Sequence, residues 1–337
     1  MAGNSPLRIG ILSTARIARA FCAGVAGSSL VRVATVASRD IDKAQQFAQG
    51  HSIPRVSTTY EALLADPAVD AIYIPLPNSM HVDWSIQAAR AGKHVLCEKP
   101  LAPSAREARQ VFMAAQEYGV HIVEGFPYRS QPQTHKMGEL IKGGAIGQVK
   151  YIQAFFTFAL TDDLDVRLRP DLAGGSLMDV GCYPVNLVRM IAGKRPKRVT
   201  ASAHWGDSGV DRSLVGTLEF DDGSLAQIAG GFDGALMRRA LIVGTAGAIQ
   251  TGFYNHPPVG QPAELLIKRG VSSANDFHSI PVAAMNGFRA EAESFARLVS
   301  DGKTGWNGAT AEESIDNALI LESLLASARS GLPVAVD

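Results

Sequence analysis

The chain has 337 residues, more than one ordinary hydrophobic core needs and about right for two domains. Hydrophobic residues make up 46% and charged residues 19%, so there is ample apolar side chain to bury and no sign of a disordered chain. Lys plus Arg and Asp plus Glu both total 32, with no block of like charge, which points away from nucleic acid and membrane surfaces and toward a small-molecule partner.

The opening MAGNSPLRIGIL carries Arg8 and Gly10 inside a short apolar run, so it reads as a strand and not as a signal-peptide core; a cytoplasmic protein is expected. Cys22, Cys97 and Cys182 are far apart, and neither CxxC nor HExxH occurs, so no disulfide framework and no metal site is expected. No apolar stretch reaches the roughly 18 residues of a membrane span.

In chain order, LRIGIL (Leu7 to Leu12) predicts a strand, and Ile17, Ala18, Phe21 and Val25 recur at helical spacing after it. VRVATVA (Val31 to Ala37) predicts a second strand, with Asp40 placed to cap the following helix. Tyr60 to Leu64 reads as helix, Asp70 to Pro75 as strand, His81 to Ala91 as helix, His94 to Cys97 as strand, Ser104 to Tyr118 as helix and His121 to Gly125 as strand. Strands separated by helices imply right-handed crossovers and a parallel, doubly wound α/β sheet, a Rossmann domain over residues 1–126. Ligands of such sheets bind beyond the carboxyl ends of the strands, which selects the loops at Ser13 to Arg16, Ser38 to Asp40, Pro75 to His81, Glu98 to Pro100 and Gly125 to Arg129.

After Gly147 the strands follow one another through tight turns: Val149 to Phe158, KRVTASAHW, SLVGTLEF, then SLAQIAGGF beyond Asp222-Gly223, ALIVGT and AIQTG. An Asp-Gly between alternating strands is a hairpin signal, so residues 127–337 are expected to form an α+β domain with a large, mostly antiparallel, open-faced sheet. Helices are expected at Gly181 to Ala192, Phe288 to Ser300 and Ala311 to Ser330, the long closing ones covering one sheet face. Small residues at Ala226, Ala229 and Gly231 suit the other face to dimerisation, so a homodimer or higher homo-oligomer is expected, although they equally suit bends.

The nucleotide loop departs from the GxGxxG fingerprint. In GILSTARIA, Gly10 lies within the strand, Ser13 and Ala15 occupy the two glycine places and Ala18 the third; the strand before and the helix N-terminus after support phosphate binding. NAD enzymes place an acid at the end of the second strand for the ribose 2′-hydroxyl, whereas NADP enzymes offer an Arg to the 2′-phosphate. Here Ser38-Arg39 stands there, and a guanidinium grips phosphate through charge-assisted bonds, so NADP is favoured; Asp40 next door keeps NAD as the alternative.

Three phrases, PLPNSMH (Pro75 to His81), LCEKPLA (Leu96 to Ala102) and AGGSLMDVGCYPVNLVRMIAG (Ala173 to Gly193), together resemble the glucose–fructose oxidoreductase / inositol dehydrogenase / rhizopine-catabolism (Gfo/Idh/MocA) family over nearly the whole chain. The resemblance implies an oxidoreductase in which Lys99, Asp179 and Tyr183 form a catalytic triad. Many relatives carry His where this chain has Tyr183, which moves the likeness toward the branch that includes NADP-dependent D-xylose dehydrogenase and dimeric dihydrodiol dehydrogenase. The expected cofactor set is Gly10, Leu12, Ser13, Thr14, Ala15, Arg16, Ile17, Ser38, Arg39, Pro75, Leu76, Asn78, His81, Glu98 and Lys99, with Tyr128 and Arg167 on the substrate side. Arg167 equally suits a surface ion pair, and His81 equally suits a helix cap. His135, His204, His256 and His278 lack metal-like spacing and have no assigned role.

Moving a hydride to or from a carbon requires a proton carrier at the attached oxygen. Tyr183 serves if its acidity rises from the ordinary phenol value of about 10, which the Lys99 ammonium favours by stabilising phenolate; the two are expected to meet in the interdomain cleft. Asp179, four residues before Tyr183, is either on the same face of the turn or a helix cap. The expected substrate is a sugar or polyol, with an aromatic trans-dihydrodiol as alternative. A non-catalytic NAD(P)-sensing regulator is the reading from another class, and retention of Lys99, Asp179 and Tyr183 argues against it.

Overall fold

The computed structural model describes residues 5–255, 263–274, 276–302 and 305–337. The chain divides into two compact units, one made of Met1–Ala102, Arg106–Gln131 and Met285–Ala311, the other of Pro103–Ala105, Pro132–Ala284 and Glu312–Asp337.

The first unit is built on β1 (Leu7–Leu12), β2 (Val31–Ala37), β3 (Val56–Ser57), β4 (Ala71–Ile74), β5 (His94–Glu98) and β6 (Ile122–Gly125), all parallel, in the spatial order β3-β2-β1-β4-β5-β6. The order reverses between β1 and β4, which opens a crevice beyond their carboxyl ends. The crossovers carry α1 (Arg16–Val25), α2 (Ile41–Gly50), α3 (Tyr60–Leu64), α4 (His81–Arg90) and α5 (Ala105–Glu117). In α1 the residues Ala18, Phe21, Cys22 and Val25 are buried, as their three- and four-residue spacing requires. Asp40 caps α2 by accepting from the Lys43 amide at 3.1 Å, and Thr59 caps α3 through the Ala62 amide at 3.0 Å. The helix foreseen at Phe288 to Ser300 spans Gly287–Asp301 (α8 below) and packs on α1 in this unit, its Phe288, Ala292 and Phe295 joining one core with Ile9, Phe21 and Tyr73. An amphipathic pattern reports that a helix has an apolar face; it does not say which sheet receives it.

The second unit holds α6 (Pro132–Lys142), β7 (Val149–Ala159), α7 (Cys182–Ala192), β8 (Arg198–Trp205), β9 (Asp211–Glu219), β10 (Leu225–Gly231), β11 (Asp233–Gly244), β12 (Gly247–Gly252), β13 (Leu265–Arg269), β14 (His278–Ser279), α9 (Ala311–Ser330) and β15 (Val334–Ala335); α8 is the helix Gly287–Asp301 already described. Among the described residues the strands form a nine-stranded sheet, β14-β13-β12-β11-β7-β10-β9-β8-β15, antiparallel except where β7 pairs with β10. Register separates its faces. Ile152, Ala154, Leu214, Leu218, Ala226 and Ile228 are buried, and the face they share meets helix, since a methyl added at Gly216 would touch Leu324 of α9 and one at Gly230 would lie 2.9 Å from the Gly181 backbone. Tyr151, Leu225 and Val215 point the other way and are exposed. Ala226 therefore lies on the helix-covered side and not with Ala229 on the open side, because residues three apart in a strand have opposite parity.

Among the described residues no helix is long and apolar enough to cross a membrane.

Candidate functional site

In the first unit the turn after β1 takes a conformation usually left to glycine: Ser13 has φ 104°. The Ser13 amide donates to Ala37 O at 2.8 Å, tying the turn to the end of β2, and its Oγ accepts from the Ala15 amide at 3.1 Å. The strand thus turns into α1 within three residues, with Leu12 buried behind, Thr14 and Ala15 on the rim, and Arg16 and Ile17 opening the helix. No acidic residue stands in the first turn of α1, so its amides face an anion unopposed.

Beside this turn lies a cavity of about 460 Å³ between Ser13–Ala15 and the β2 end, where Ser38, Arg39, Asp40, Lys43 and Tyr60 complete the lining. Ser38 is buried and its Oγ accepts from the Asp40 amide at 3.3 Å, which orients the hydroxyl. Asp40, the residue that kept NAD in play, has Oδ1 committed to capping α2 and its other oxygen 3.5 Å from Lys43 Nζ; the Lys43 amide holds its carboxyl below the usual range. Burial raises the Tyr60 phenol, with the Arg39 charge and the Ser13 hydroxyl acting in the opposite sense. Two cations and a serine hydroxyl around a turn with free helix amides fit the pyrophosphate and 2′-phosphate of NADP. Lys43 and Tyr60 were not foreseen; Lys43 was legible, since it lies in the first turn of the helix that Asp40 caps.

The loop carrying Lys99 is held at three points. The Glu98 carboxylate accepts from Tyr73 Oη at 2.6 Å, the Pro100 carbonyl lies 2.8 Å from His81 Nδ1, and the Leu101 amide donates to Glu124 Oε1 at 2.9 Å. Tyr73 is itself stacked on Phe21 at 4.0 Å between centroids. Lys99 is half-buried between these anchors. His81 is fully buried, and its Nε2 lies 2.8 Å from Leu76 O, so the imidazole joins the Pro75–Leu76 loop to the Lys99 loop. Burial pushes this imidazole down to about 4, with the Lys99 charge acting in the same direction. Asn78 opens a short 3-10 turn ahead of α4, and Tyr128 is buried in the turn Pro127–Ser130, edge-on to Phe126.

In the second unit Asp179 lies in a π-helical turn, Leu177–Gly181, that runs directly into α7, and Tyr183 is in the first turn of that helix. Such turns are frequent at functional sites. The buried Asp211 anchors it, accepting from Ser176 Oγ and the Leu177 amide, each at 2.7 Å. Close approach to β10 depends on Gly230 meeting Gly181, where a methyl would lie 2.9 Å from the helix backbone. Asp179 does not cap α7; its Oδ2 accepts from Arg167 Nε at 2.6 Å, while Arg167 Nη1 donates to Asp165 at 3.1 Å. Tyr183 is 4% exposed and its hydroxyl accepts from Asn255 Nδ2 at 3.0 Å. Arg238 lies over the Tyr183 ring, 4.3 Å from its centroid. Asp211, Arg238 and Asn255 were not foreseen; β11 begins seven residues before Ala240, the expected start, so Arg238 fell outside any element.

Of the unassigned histidines, His204 is 3.8 Å from Asp233 Oδ2, His278 is exposed on β14, His135 lies in α6, and His256 is outside the described residues.

Comparison with known proteins agrees with this geometry. Residues 7–126 match the oxidoreductase family with an NAD-binding Rossmann fold, and residues 134–250 match the GFO/IDH/MocA C-terminal domain. The chain is 36% identical to D-xylose 1-dehydrogenase (NADP+) 2 of Haloferax volcanii, over 98% of this chain and 100% of that protein. It is also 36% identical to trans-1,2-dihydrobenzene-1,2-diol dehydrogenase of Xenopus laevis, over 74% of this chain and 76% of that one. Among solved structures, a 3-ketoreductase of Actinomadura kijaniata in complex with NADP and TDP-benzene superposes with a TM-score of 0.87 at 29% identity, covering 96% of this chain and 98% of that chain. With both matched segments in order and likeness to a curated relative over almost its full length, the chain belongs to the Gfo/Idh/MocA oxidoreductase family.

Proposed function

We propose that the protein is an NADP(H)-dependent oxidoreductase interconverting a C–OH and a C=O group on an aldose or related polyol. The observation that carries the cofactor preference is the cavity at the β2 end, lined by Ser38, Arg39 and Lys43, which would hold a 2′-phosphate, while Asp40 is turned to its own helix. NADP, when bound, exchanges a hydride with the substrate carbon. In oxidation Tyr183, as phenolate, takes the hydroxyl proton; in reduction, as phenol, it returns a proton to the carbonyl oxygen. Lys99 supplies a positive charge that favours the phenolate, and Asp179, oriented by Arg167, accepts a hydrogen bond from a substrate hydroxyl. Tyr128 lines the substrate side. The relatives named for D-xylose and NADP support this reading. The rings of Phe156, Phe158, Phe253 and Tyr254 near Tyr183 and Arg238, with the dihydrodiol dehydrogenase relative, favour an aromatic trans-dihydrodiol as the second substrate class.

The test is nicotinamide absorbance with NADP and NAD against aldoses, polyols and dihydrodiols. Tyr183→Phe is expected to retain NADP binding while kcat falls by about 10²–10⁴-fold. Lys99→Ala is expected to lose a similar amount, and the double variant much less than the sum, because the two act as a unit. Intact turnover in Tyr183→Phe would remove Tyr183 as proton carrier. A homodimer through the open sheet face, where Tyr151, Val215 and Leu225 are exposed, belongs to the same proposal; light scattering that returns the mass of one chain would reject it.

A further inference from the structure

Arg238 is a guanidinium packed among aromatic rings. It sits on the helix-covered face of β11, where register pairs it with Phe156 of β7, and it is 6% exposed. Its Cζ lies 4.0 Å from the centroid of Phe156, 4.3 Å from that of Tyr183, 5.6 Å from Phe253 and 5.9 Å from Tyr254. The Phe156 and Tyr183 rings meet edge to face at 5.5 Å, so the cation is inserted where those two rings converge. Arg stays charged at any working pH, and burying a charge is costly; ring faces recover part of that cost through their quadrupoles.

Resting on the reading of Tyr183 as proton carrier, we propose that Arg238 and Asn255 are positioning residues that set the acidity of the Tyr183 phenol. A cation within about 4–6 Å favours the charged form of an ionisable group, and a donor to its oxygen favours that form further. Arg238 supplies the first, and Asn255, whose Nδ2 is 3.0 Å from the phenol oxygen, supplies the second. Other charged and titratable groups among the described residues lie on the elements around this ring. Asp179, in the turn before α7, is paired with Arg167, which is also paired with Asp165; that group carries a net negative charge and opposes phenolate. Tyr254 follows β12 and shares the Arg238 cage. On α7 itself Arg189 is paired with Asp316, nearly two turns away. Arg238 is therefore a cation that offsets the acidic side of the site within this unit, with Lys99 as a further charge in the proposed function.

The experiment titrates the phenol directly, without substrate, by ultraviolet difference absorbance of tyrosinate, subtracting Tyr183→Phe to remove the other tyrosines. Arg238→Met is expected to move the Tyr183 midpoint up by about one pH unit or more, Arg238→Lys to restore most of it, and Asn255→Ala to give a smaller shift of the same sign. The acid limb of kcat in the oxidative direction, where protonation of the phenolate stops turnover, is expected to move with it. NADP affinity and melting temperature report whether each variant is folded. If Arg238→Met does not fold, Arg238→Gln carries the same comparison, and Asn255→Ala tests the hydrogen bond separately. An unmoved midpoint in a folded Arg238→Met or Arg238→Gln overturns the proposal. A midpoint that moves while the kcat profile stays fixed and Tyr183→Phe turns over normally would uphold the Arg238 coupling and discard Tyr183 as proton carrier.

Discussion

Arg167 Nε donates to Asp179 Oδ2 at 2.6 Å, and this pairing decides what Asp179 can do. With Asp165 also bonded to Arg167 Nη1, the guanidinium is held by two carboxylates and its charge is stabilised, first by Asp179. Asp179 is thereby fixed in direction, and in the proposed function it is the acceptor for a substrate hydroxyl. Asp179→Asn is expected to lower kcat with NADP binding intact, and Arg167→Ala to lower it by a similar factor because the carboxylate loses its orientation. The double variant should fall short of the summed losses by a coupling of about 0.5–3 kcal/mol. Additive losses in kcat would show that the two residues act separately.

At the proposed cofactor end, Arg39, Lys43 and the buried Ser38 all line the cavity. Arg39→Ala is expected to raise the NADP KM by about 10–100-fold and to leave the NAD KM nearly unchanged, since a charged hydrogen bond contributes about 1.5–3 kcal/mol. Lys43→Ala should act in the same direction with a smaller factor, its ammonium being drawn partly to Asp40 at 3.5 Å. Ser38→Asp should turn the preference toward NAD by repelling the 2′-phosphate. Equal losses for both cofactors in Arg39→Ala would reject the assignment of the 2′-phosphate.

The periodic parts of the chain were legible in advance because burial imposes them. β1, β2, α3 and α9 fall on the expected residues, and the Asp222-Gly223 turn joins β9 to β10 in antiparallel register. Ser13 stands in a glycine place of the fingerprint, and its φ of 104° shows what that place demands. What escaped the reading has no periodic signature. His81 gave a motif position but not the pair of carbonyls that hold it; Arg238 is one charge in a strand whose start was placed too late; Asn255 reaches Tyr183 over 72 residues of sequence. Contacts of that kind depend on register across the nine-stranded sheet, and no local pattern encodes them. The same holds for α8, whose apolar face was visible but whose partner, α1, was not.

His81 gives a pH dependence of stability with a definite sign. Its imidazole is pushed down to about 4 in the folded chain by burial, against an ordinary value near 6.5, so between those two values the unfolded chain binds a proton that the folded chain does not. Its contribution is present above pH ~6.5 and is lost as pH falls toward 4. Replacing the ring by Gln should reduce the loss in unfolding free energy between pH ~7 and pH ~4.5 by about 2 kcal/mol relative to the natural chain. Urea denaturation of both proteins at the two pH values measures this difference, and identical losses would mean that His81 is not held neutral.

Glu291 gives a dependence of the opposite sign. Its carboxyl lies on α8 against the ends of β5 and β6, in space that Gly125 leaves open: a methyl on Gly125 would stand 3.7 Å from Glu291 Oε2 and 3.7 Å from Glu98 Cα. Burial, and then the nearby Glu98, push Glu291 well above the usual carboxylate range, whereas Glu98 has the Tyr73 hydroxyl donating to it. From an unfolded value of about 4.3 up to that raised value, the folded chain keeps a proton that the unfolded chain has released, so stability falls as pH rises, by up to about 1.4 kcal/mol per pH unit. Glu291→Gln has the same shape and no proton to lose. It should match the natural chain below pH ~4 and become progressively more stable than it toward pH ~8. Melting curves across that range test the claim, and a constant offset between the two proteins would show that Glu291 does not hold its proton. Gly125→Ala provides the steric control: the added methyl, 3.1 Å from Cys97 O, should destabilise by about 1–3 kcal/mol at every pH, because crowding against backbone does not titrate.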